Sequence, residues 1–385
     1  MKKTDTIADI ADGLLTRYPA CASLYLKMGN AAIDVRSNSL ALLTELNLHF
    51  KEFIGPRKST DITIFALEGK PEPIPFILSE KQPDPGKTKI KEEFIDLESG
   101  RIVRKRLTGM MLFFDKTHHV AFGPCLANVN QVVNFINNRF IEWMLKQNSL
   151  LAHAAGIVAQ NRGLALAGFS GSGKSTLALQ LLCSGATFVS NDRLLIQRHP
   201  DGLKMYGIPK HPRVNPGTIL SLNFLHGIMT DKDREAALKM ETDALWNLES
   251  KHDVIVHEHF GPDKFKLAAP LHGLLILNWK RTPQPLVISE IDIAVRRDLL
   301  DAFIKSPGLF FLPDADELAP DFSAQHYIAM LSGCRVFEAT GGVDFSGATR
   351  FCHHFLGLDT VSKETCASEP ESTGLNKTPL TMWKL

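Results

Sequence analysis

The chain lacks an excess of charge of either sign and lacks long hydrophobic runs. Its 385 residues carry 43 Lys and Arg against 42 Asp and Glu, which gives a formal net charge of +1. This balance produces no overall field that would favour nucleic acid or an anionic membrane. No stretch approaches the ~20 consecutive apolar residues that a membrane-spanning helix needs. The sequence therefore predicts a cytoplasmic protein without nucleic-acid or membrane partners.

The sequence also lacks the cysteine spacing of a metal-binding protein. Its six cysteines are scattered, with no CxxC pair and no nearby set of Cys and His ligands. A zinc site is therefore not predicted. The hydrophobic share of 44% and the charged share of 22% are those of an ordinary globular protein. The length is sufficient for two domains.

The first third of the sequence predicts a small β-rich α+β module over residues 1–127, beginning with a helix. Residues 23–35 alternate in hydrophobicity on both sides of a turn, which is typical of a β-hairpin. Residues 91–121 alternate through two turns and predict a three-stranded meander. Residues 128–149 begin with a capping Asn128 and carry apolar residues at helical spacing, so they predict a helix that connects two domains. No catalytic motif occurs in the module.

Beyond this helix, short apolar runs alternate with helical patterns. This alternation predicts an α/β domain over residues 150–357. The pattern predicts strands at 186–190 and 274–277, and helices near 298–305 and 324–332. Residues 358–385 are rich in Ser, Thr, Glu, Lys and Pro and predict a disordered tail.

One segment carries a phosphate-binding motif. Residues 168–176 read GFSGSGKST and satisfy the P-loop pattern G-x-x-x-x-G-K-[ST], between an apolar run and a helical pattern. Glycines allow successive N–H groups to point at phosphate oxygens in front of a helix N-terminus. Lys174 is expected to reach the β- and γ-phosphates of ATP, and Ser175 to bind Mg²⁺. The predicted nucleotide-binding residues are Gly168, Ser170, Gly171, Ser172, Gly173, Lys174, Ser175 and Thr176.

An acidic residue follows the next predicted strand. Asp192 comes directly after the apolar run at 186–190. In open α/β sheets ligands collect at the carboxyl ends of the strands, so Asp192 is predicted as a second Mg²⁺ ligand. An Asp that only starts a turn is the alternative.

Together these motifs resemble the catalytic domain of bacterial HPr kinase/phosphorylase, and in particular the HPr kinase-related kinases that share its core. The similar stretches are residues 151–156, which contain His153, residues 168–176 and residues 188–192. A more distant similarity is to phosphoenolpyruvate carboxykinase. The resemblance implies an α/β P-loop catalytic domain, preceded by a smaller α+β domain, in a homo-oligomer.

The activity that the resemblance implies is transfer of the γ-phosphate of ATP to a Ser or Thr hydroxyl of a protein, with Mg²⁺. By position, Lys174 and Ser175 would bind phosphate and metal, and Asp192 would bind Mg²⁺. His153 would approach the phosphates as a polar or proton-handling group. A hydrogen-bonded strand histidine without a catalytic role is the alternative for His153.

Two departures from the family pattern affect the acceptor side of the site. The first acid of the family's pair is Asn191 here, and an amide oxygen is hardly basic. The glutamate-containing segment that follows in the family is replaced by residues 206–217, where Lys210 and Arg213 stand among prolines. These two cations are predicted to contact phosphate or an acidic partner, and a solvated surface loop is the alternative.

Three other classes of P-loop protein are alternatives to a protein kinase. An ABC-type ATPase requires an LSGGQ signature, which the sequence lacks. A small-molecule kinase remains open, although its P-loop usually lies near the N-terminus of a short chain. A nucleotide-binding regulator without transfer activity also remains open, and Asn191 is the residue that favours it.

Overall fold

The chain forms two compact units of mixed α/β structure. A computed structural model describes residues 6–57, 59–71, 73–83, 88–241, 244–245, 248, 250–313 and 321–358. The predicted tail at 358–385 lies outside these residues, apart from residue 358. The first unit comprises Met1–Asn148 and Ser306–Asp321, and the second comprises Ser149–Lys305 and Phe322–Leu385.

The first unit is built on an eight-stranded sheet with the order β1-β2-β3-β8-β7-β6-β5-β4. Its strands are β1 (Ala22–Met28), β2 (Ala31–Ser37), β3 (Ile62–Glu68), β4 (Ser79–Glu80), β5 (Glu92–Leu97), β6 (Gly100–Lys105), β7 (Met111–Asp115) and β8 (His119–Gly123). Its α-helices are α1 (Ile7–Arg17), α2 (Leu40–His49) and α3 (Val129–Leu145), with 3₁₀ turns at Lys51–Phe53, Leu126–Asn128 and Gly308–Phe310.

Local sequence signals account for several of these elements. A capping box joins Thr6 and Asp9 at the start of α1, and Ser39 caps α2. The predicted hairpin is confirmed, because β1 and β2 pair in antiparallel register. The predicted three-stranded meander is wrong by one strand, since β5 to β8 form four. The missed turn lies between β6 and β7, where Gly109 adopts a positive φ of 71°.

The second unit contains three sheets. A six-stranded sheet has the order β12-β10-β11-β18-β20-β19, a four-stranded sheet the order β17-β14-β13-β9, and β15 pairs with β16. The strands are β9 (Leu150–Ala152), β10 (Ala154–Ala159), β11 (Arg162–Gly168), β12 (Thr187–Ser190), β13 (Leu194–His199), β14 (Gly202–Tyr206), β15 (Arg213–Val214), β16 (His252–Asp253), β17 (Ala268–Pro270), β18 (Gly273–Leu277), β19 (Val287–Glu290) and β20 (Arg335–Thr340).

The helices of the second unit follow most of the sequence predictions. The helices whose full extent is described are α4 (Lys174–Cys183), α5 (Pro216–Ser221), α6 (Asp231–Leu238), α7 (Val256–Phe260), α8 (Ala324–Met330) and α9 (Phe345–Leu356), with 3₁₀ helices at Asn223–Ile228 and Arg297–Ala302. The predicted strands at 186–190 and 274–277 and the helix near 324–332 are confirmed. The helix predicted near 298–305 is a short 3₁₀ helix. No helix in the described part of the chain is long and apolar enough to cross a membrane.

The core of the second unit lies between its two larger sheets. Leu274 and Ile276 of the six-stranded sheet belong to the same buried apolar cluster as Leu194 and Met205 of the four-stranded sheet. On the opposite face, the ring of Phe337 packs against aromatic rings of α9. β18 is buried on both faces, which explains why its sequence is a continuous apolar run rather than an alternating one.

The unit boundaries differ from the sequence prediction in two places. Helix α3, predicted as a connection, is part of the first unit, and so is Ser306–Asp321, which was predicted within the α/β domain. The reason is a set of hydrogen bonds that the sequence does not reveal. The carbonyl of Phe310 accepts one from Arg139, and the N–H of Leu312 donates to the Glu142 carboxylate at 3.1 Å.

A buried ion pair on α3 anchors this arrangement. The Arg139 side chain is 0% exposed and pairs with Glu142, which is 7% exposed. The guanidinium also lies over the ring of Phe114, 4.1 Å from its centroid. Removing one partner of such a pair leaves the other charge buried without compensation.

Glu142→Gln is therefore expected to lower the free energy of unfolding of the first unit by about 3–5 kcal/mol, as measured by urea denaturation. The matched control is Glu80→Gln, which removes a carboxylate from an exposed pair with Arg106 in the same unit. We expect the control to change stability little, because exposed pairs contribute little. Equal effects of the two substitutions would contradict the assignment of Glu142 as the essential counter-charge.

Candidate functional site

Four strands that run in the same direction end along one edge of the six-stranded sheet. β11 pairs in parallel with β18, and β18 in parallel with β20. β10 is antiparallel to both β11 and β12, so β12 runs in the same direction as β11. Residues that follow these strands therefore collect at one edge, which is where ligands bind in open α/β sheets.

The glycine-rich loop, residues 169–173, connects β11 to α4 at this edge. Gly173 has a φ of 89°, and a Cβ added there would lie 2.5 Å from a ring carbon of Phe345. Trp279, which follows β18, donates its indole N–H to the carbonyl of Ser172 at 2.8 Å. The rings of Trp279 and Phe345 meet edge to face, with centroids 5.2 Å apart. Two aromatic side chains that the sequence analysis missed thus brace the loop.

Lys174 is the first residue of α4, and its side chain folds back over the loop. Its ammonium donates to the carbonyl of Gly168 at 2.6 Å and to that of Phe169 at 3.3 Å. Burial lowers the pKa of Lys174 to about 8; Asp192 opposes this shift, and Lys305 adds to it. Lys174 therefore lies within electrostatic range of both residues.

The remaining predicted loop residues differ in their exposure. Ser170 and Gly171 are exposed, whereas Ser175 is half-buried and Thr176 is buried, with its hydroxyl 3.2 Å from that of Thr218. The hydroxyl oxygen of Ser172 is buried and has no hydrogen-bond partner among the residues described. A buried hydroxyl of this kind is a position that a ligand or a water molecule can satisfy.

Asp192 follows β12 and has two basic neighbours. His153 Nε2 lies 3.1 Å from Asp192 Oδ1, and Lys305 Nζ lies 3.7 Å from Asp192 Oδ2. Burial alone would raise the pKa of Asp192. The hydrogen bond from His153 and the charge of Lys305 outweigh burial and hold the pKa of Asp192 well below its usual range. The carboxylate is therefore ionised at neutral pH.

Backbone hydrogen bonds hold the main chain of both His153 and Lys305 in place. The N–H of His153 donates to the carbonyl of Phe303 at 2.6 Å, and the N–H of Lys305 donates to that of Leu151 at 3.2 Å. Between them, Ala152 and Ile304 form an antiparallel bridge. The stretch 303–305 thus continues the sheet beside β9. Sequence reasoning missed Lys305 because this pairing joins parts of the chain that are remote in sequence.

Asn191, the departure from the family pattern, lies next to Asp192 after β12. Its Oδ1 atom is buried and has no hydrogen-bond partner among the described residues. The amide oxygen can accept a hydrogen bond but cannot take up a proton at neutral pH. The position therefore suits a donor group of a ligand and excludes general-base catalysis by residue 191 itself.

The two cations in the proline-rich segment have different partners. Burial lowers the pKa of Lys210, and the charges of Arg193 and Arg213 lower it further. The carboxylates of Asp253 and Asp192 oppose this shift. Arg213 lies on β15 and pairs with Asp253 of β16, with 3.0 Å between Nε and Oδ1. Its charge is therefore engaged in joining these two strands.

A bound metal would require ligands beyond the protein. Within the described residues no group of three or more His, Cys, Asp or Glu side chains could hold a metal ion. Mg²⁺ usually binds through one or two protein ligands, completed by phosphate oxygens and water. Asp192 and Ser175 fit this pattern in number and in ligand type.

The lowered pKa of Lys174 makes a pH-dependent prediction. Phosphate oxygens stabilise the ammonium and raise its pKa, so binding of ATP at about pH 9 should take up a large part of one proton. At about pH 7 the amine is already protonated, and Lys174 should contribute little uptake. Calorimetry of ATP binding in two buffers with different ionisation enthalpies measures this uptake. Lys174→Arg, charged at both pH values, is the control, and equal uptake in both proteins would contradict the prediction.

Comparison with solved structures gives 47 matching chains. No family model matches the chain, and no curated protein matches it. The structure of the HPr(Ser) kinase/phosphatase from Coxiella burnetii matches with 12% sequence identity and a TM-score of 0.28. The match covers 54% of this chain and 93% of that chain. At these values the match does not establish a family or an activity, which leaves function to be inferred from the residues of the site.

Proposed function

We propose that the chain is a Mg·ATP-dependent kinase of the HPr kinase-like type, whose P-loop domain transfers the γ-phosphate of ATP to a Ser or Thr hydroxyl of a protein. One observation carries the proposal. Lys174 at the start of α4 and His153 before β10 both interact with Asp192, which follows β12 at the same sheet edge. A phosphate-binding amine, an ionised carboxylate and an imidazole are the groups that phosphoryl transfer uses.

The triphosphate would bind in front of α4. The first backbone N–H groups of a helix have no partner within the helix, and the helix dipole adds a partial positive charge there. Lys174 lies at this end, and its ammonium donates to two loop carbonyls, which phosphate oxygens can replace. The exposure of Ser170 and Gly171 keeps the loop open to solvent and therefore to a ligand.

Asp192 and Ser175 would hold the metal ion. Mg²⁺, when bound there, would neutralise negative charge that develops during phosphoryl transfer. Asp192 is ionised, and its side chain is 57% exposed, so it can exchange a protein partner for a metal ion.

The acceptor hydroxyl would lie beside Asn191 and His153. The unpartnered Oδ1 of Asn191 can accept a hydrogen bond from the hydroxyl and orient it. His153 is the neighbouring group able to handle a proton. A loose transition state for phosphoryl transfer needs little help from a base, which makes the loss of a carboxylate at position 191 tolerable. Lys210 and Arg213 are proposed to contact phosphate or an acidic acceptor.

A nucleotide-binding regulator without transfer activity is the second candidate. Asn191 favours it, because an amide in place of the family's first acid removes the usual base while leaving Lys174, Ser175 and Asp192 to bind Mg·ATP. The two candidates differ in the fate of the γ-phosphate and agree in nucleotide binding.

The first test is transfer from γ-labelled ATP, with Mg²⁺, to proteins in a lysate of the source cells. We expect a labelled protein band with the native chain and none with Lys174→Ala, because the variant lacks the amine that holds the phosphates. Lys204→Ala is the matched control, since Lys204 pairs with Asp201 at an exposed site.

The location of the label separates the alternatives. Label in free phosphate or in a small molecule would indicate an ATPase or a small-molecule kinase. Label remaining in ATP, while Mg·ATP still raises the melting temperature, would favour the regulator. Bound ligand at 100 times its Kd stabilises the native state by about 2.7 kcal/mol. An unchanged melting shift in Lys174→Ala would reject the assignment of the loop itself.

A second substitution tests the metal ligand. Asp192→Asn keeps the size of the side chain and removes its charge, so turnover of ATP should fall by about 100-fold or more. The Mg²⁺ concentration at half-maximal rate should rise. Asp201→Asn removes a carboxylate from the exposed pair with Lys204 and should leave both quantities unchanged. If Asp192→Asn reached its half-maximal rate at the same Mg²⁺ concentration as the native chain, the proposed role of Asp192 as a metal ligand would be refuted.

A further inference from the structure

Lys305 is a charged residue in the site that the P-loop motif does not include. It follows the 3₁₀ helix Arg297–Ala302, and its backbone N–H is fixed to the carbonyl of Leu151. Its ammonium reaches Asp192, with 3.7 Å between Nζ and Oδ2. The backbone anchor holds the side chain at the edge where the glycine-rich loop lies.

The ion pair between Lys305 and Asp192 does not by itself require a lysine at position 305. The nitrogen and oxygen are at the long end of the range for a salt bridge, and the Asp192 side chain is 57% exposed. Exposed pairs of this kind contribute little to stability. The second carboxylate oxygen already has a closer partner in His153, at 3.1 Å. Asp192 would therefore keep a basic partner in His153 without a lysine at position 305.

A bound phosphate would give Lys305 a partner of opposite charge. Lys174 and Lys305 come from different elements and interact with the same carboxylate, and the charge of Lys305 disfavours the charged form of Lys174. Two amines held near each other create a local excess of positive charge, which an anion relieves. When Asp192 turns to a metal ion, Lys305 loses its carboxylate partner and an oxygen of the ligand can take its place.

We propose that Lys305 is a second phosphate-binding cation, which contacts the γ-phosphate of ATP and gives the site its preference for ATP over ADP. The inference rests on the proposed function, because it assumes that Lys174 binds the triphosphate. Lys174 serves the β- and γ-phosphates together, and Lys305 serves the terminal phosphate. Loss of Lys305 should therefore weaken ATP binding selectively.

The test compares two ligands with the full chain by calorimetry in the presence of Mg²⁺. The probes are the non-hydrolysable β,γ-imido analogue of ATP, which keeps a third phosphoryl group, and ADP, which lacks it. Lys305→Met should weaken the imido analogue by about 10- to 100-fold, the value of one hydrogen bond to a charged group. It should change the affinity for ADP by less than about threefold.

Two controls accompany the test. Lys204→Met removes an ammonium from an exposed pair elsewhere in the same unit and should change neither affinity. Lys305→Arg keeps the charge and should retain most of the preference for the imido analogue. The melting temperature without nucleotide verifies that Lys305→Met is folded.

Each outcome decides between specific possibilities. An unchanged affinity of Lys305→Met for the imido analogue, or equal losses for both ligands, would overturn the role of Lys305 and leave the proposed kinase intact. If the native chain bound neither ligand, the nucleotide site itself would be rejected, and Lys305 would have no phosphate to contact.

Discussion

A single ionised carboxylate links the charged groups at the edge of the second unit. Asp192 accepts a hydrogen bond from His153, attracts Lys305 and favours the charged form of Lys174. Without it, the ammonium groups of Lys174 and Lys305 would lose a counter-charge with which both of them interact. The site therefore places one carboxylate among three basic side chains.

The glycine-rich loop is held by contacts from the sheet as well as by its own sequence. Trp279 and Phe345 extend from the regions after β18 and β20, and both contact the loop. The parallel register of β11, β18 and β20 therefore determines where the loop carbonyls and N–H groups point. A loop held in this way loses little conformational freedom when a ligand binds, and this preorganisation favours affinity.

The sequence predicted those parts of the site that are local in the chain. The glycine-rich loop, the helix after it and the strand before Asp192 are each formed by consecutive residues. A sequence motif or a local hydrophobic pattern therefore predicts each of them. Lys305 and Trp279 could not be predicted as part of the site from the sequence. A bridge between residues remote in sequence brings Lys305 to this edge of the sheet, and a side-chain hydrogen bond connects Trp279 to the loop. The domain boundary was misjudged for a similar reason, since no change in composition marks residues 306–321. Long-range hydrogen bonds, to Arg139 and Glu142, assign that segment to the first unit.

The division of the chain between the units has a consequence for its synthesis. The polypeptide leaves the first unit after Asn148, returns to it at Ser306 and leaves again after Asp321, so three covalent crossings join the units. The buried guanidinium of Arg139 obtains its carbonyl partner only once Phe310 has emerged from the ribosome. The N-terminal unit therefore cannot complete its packing first, as separate domains usually do during translation. For the same reason, a single proteolytic cut at any one crossing releases neither unit whole.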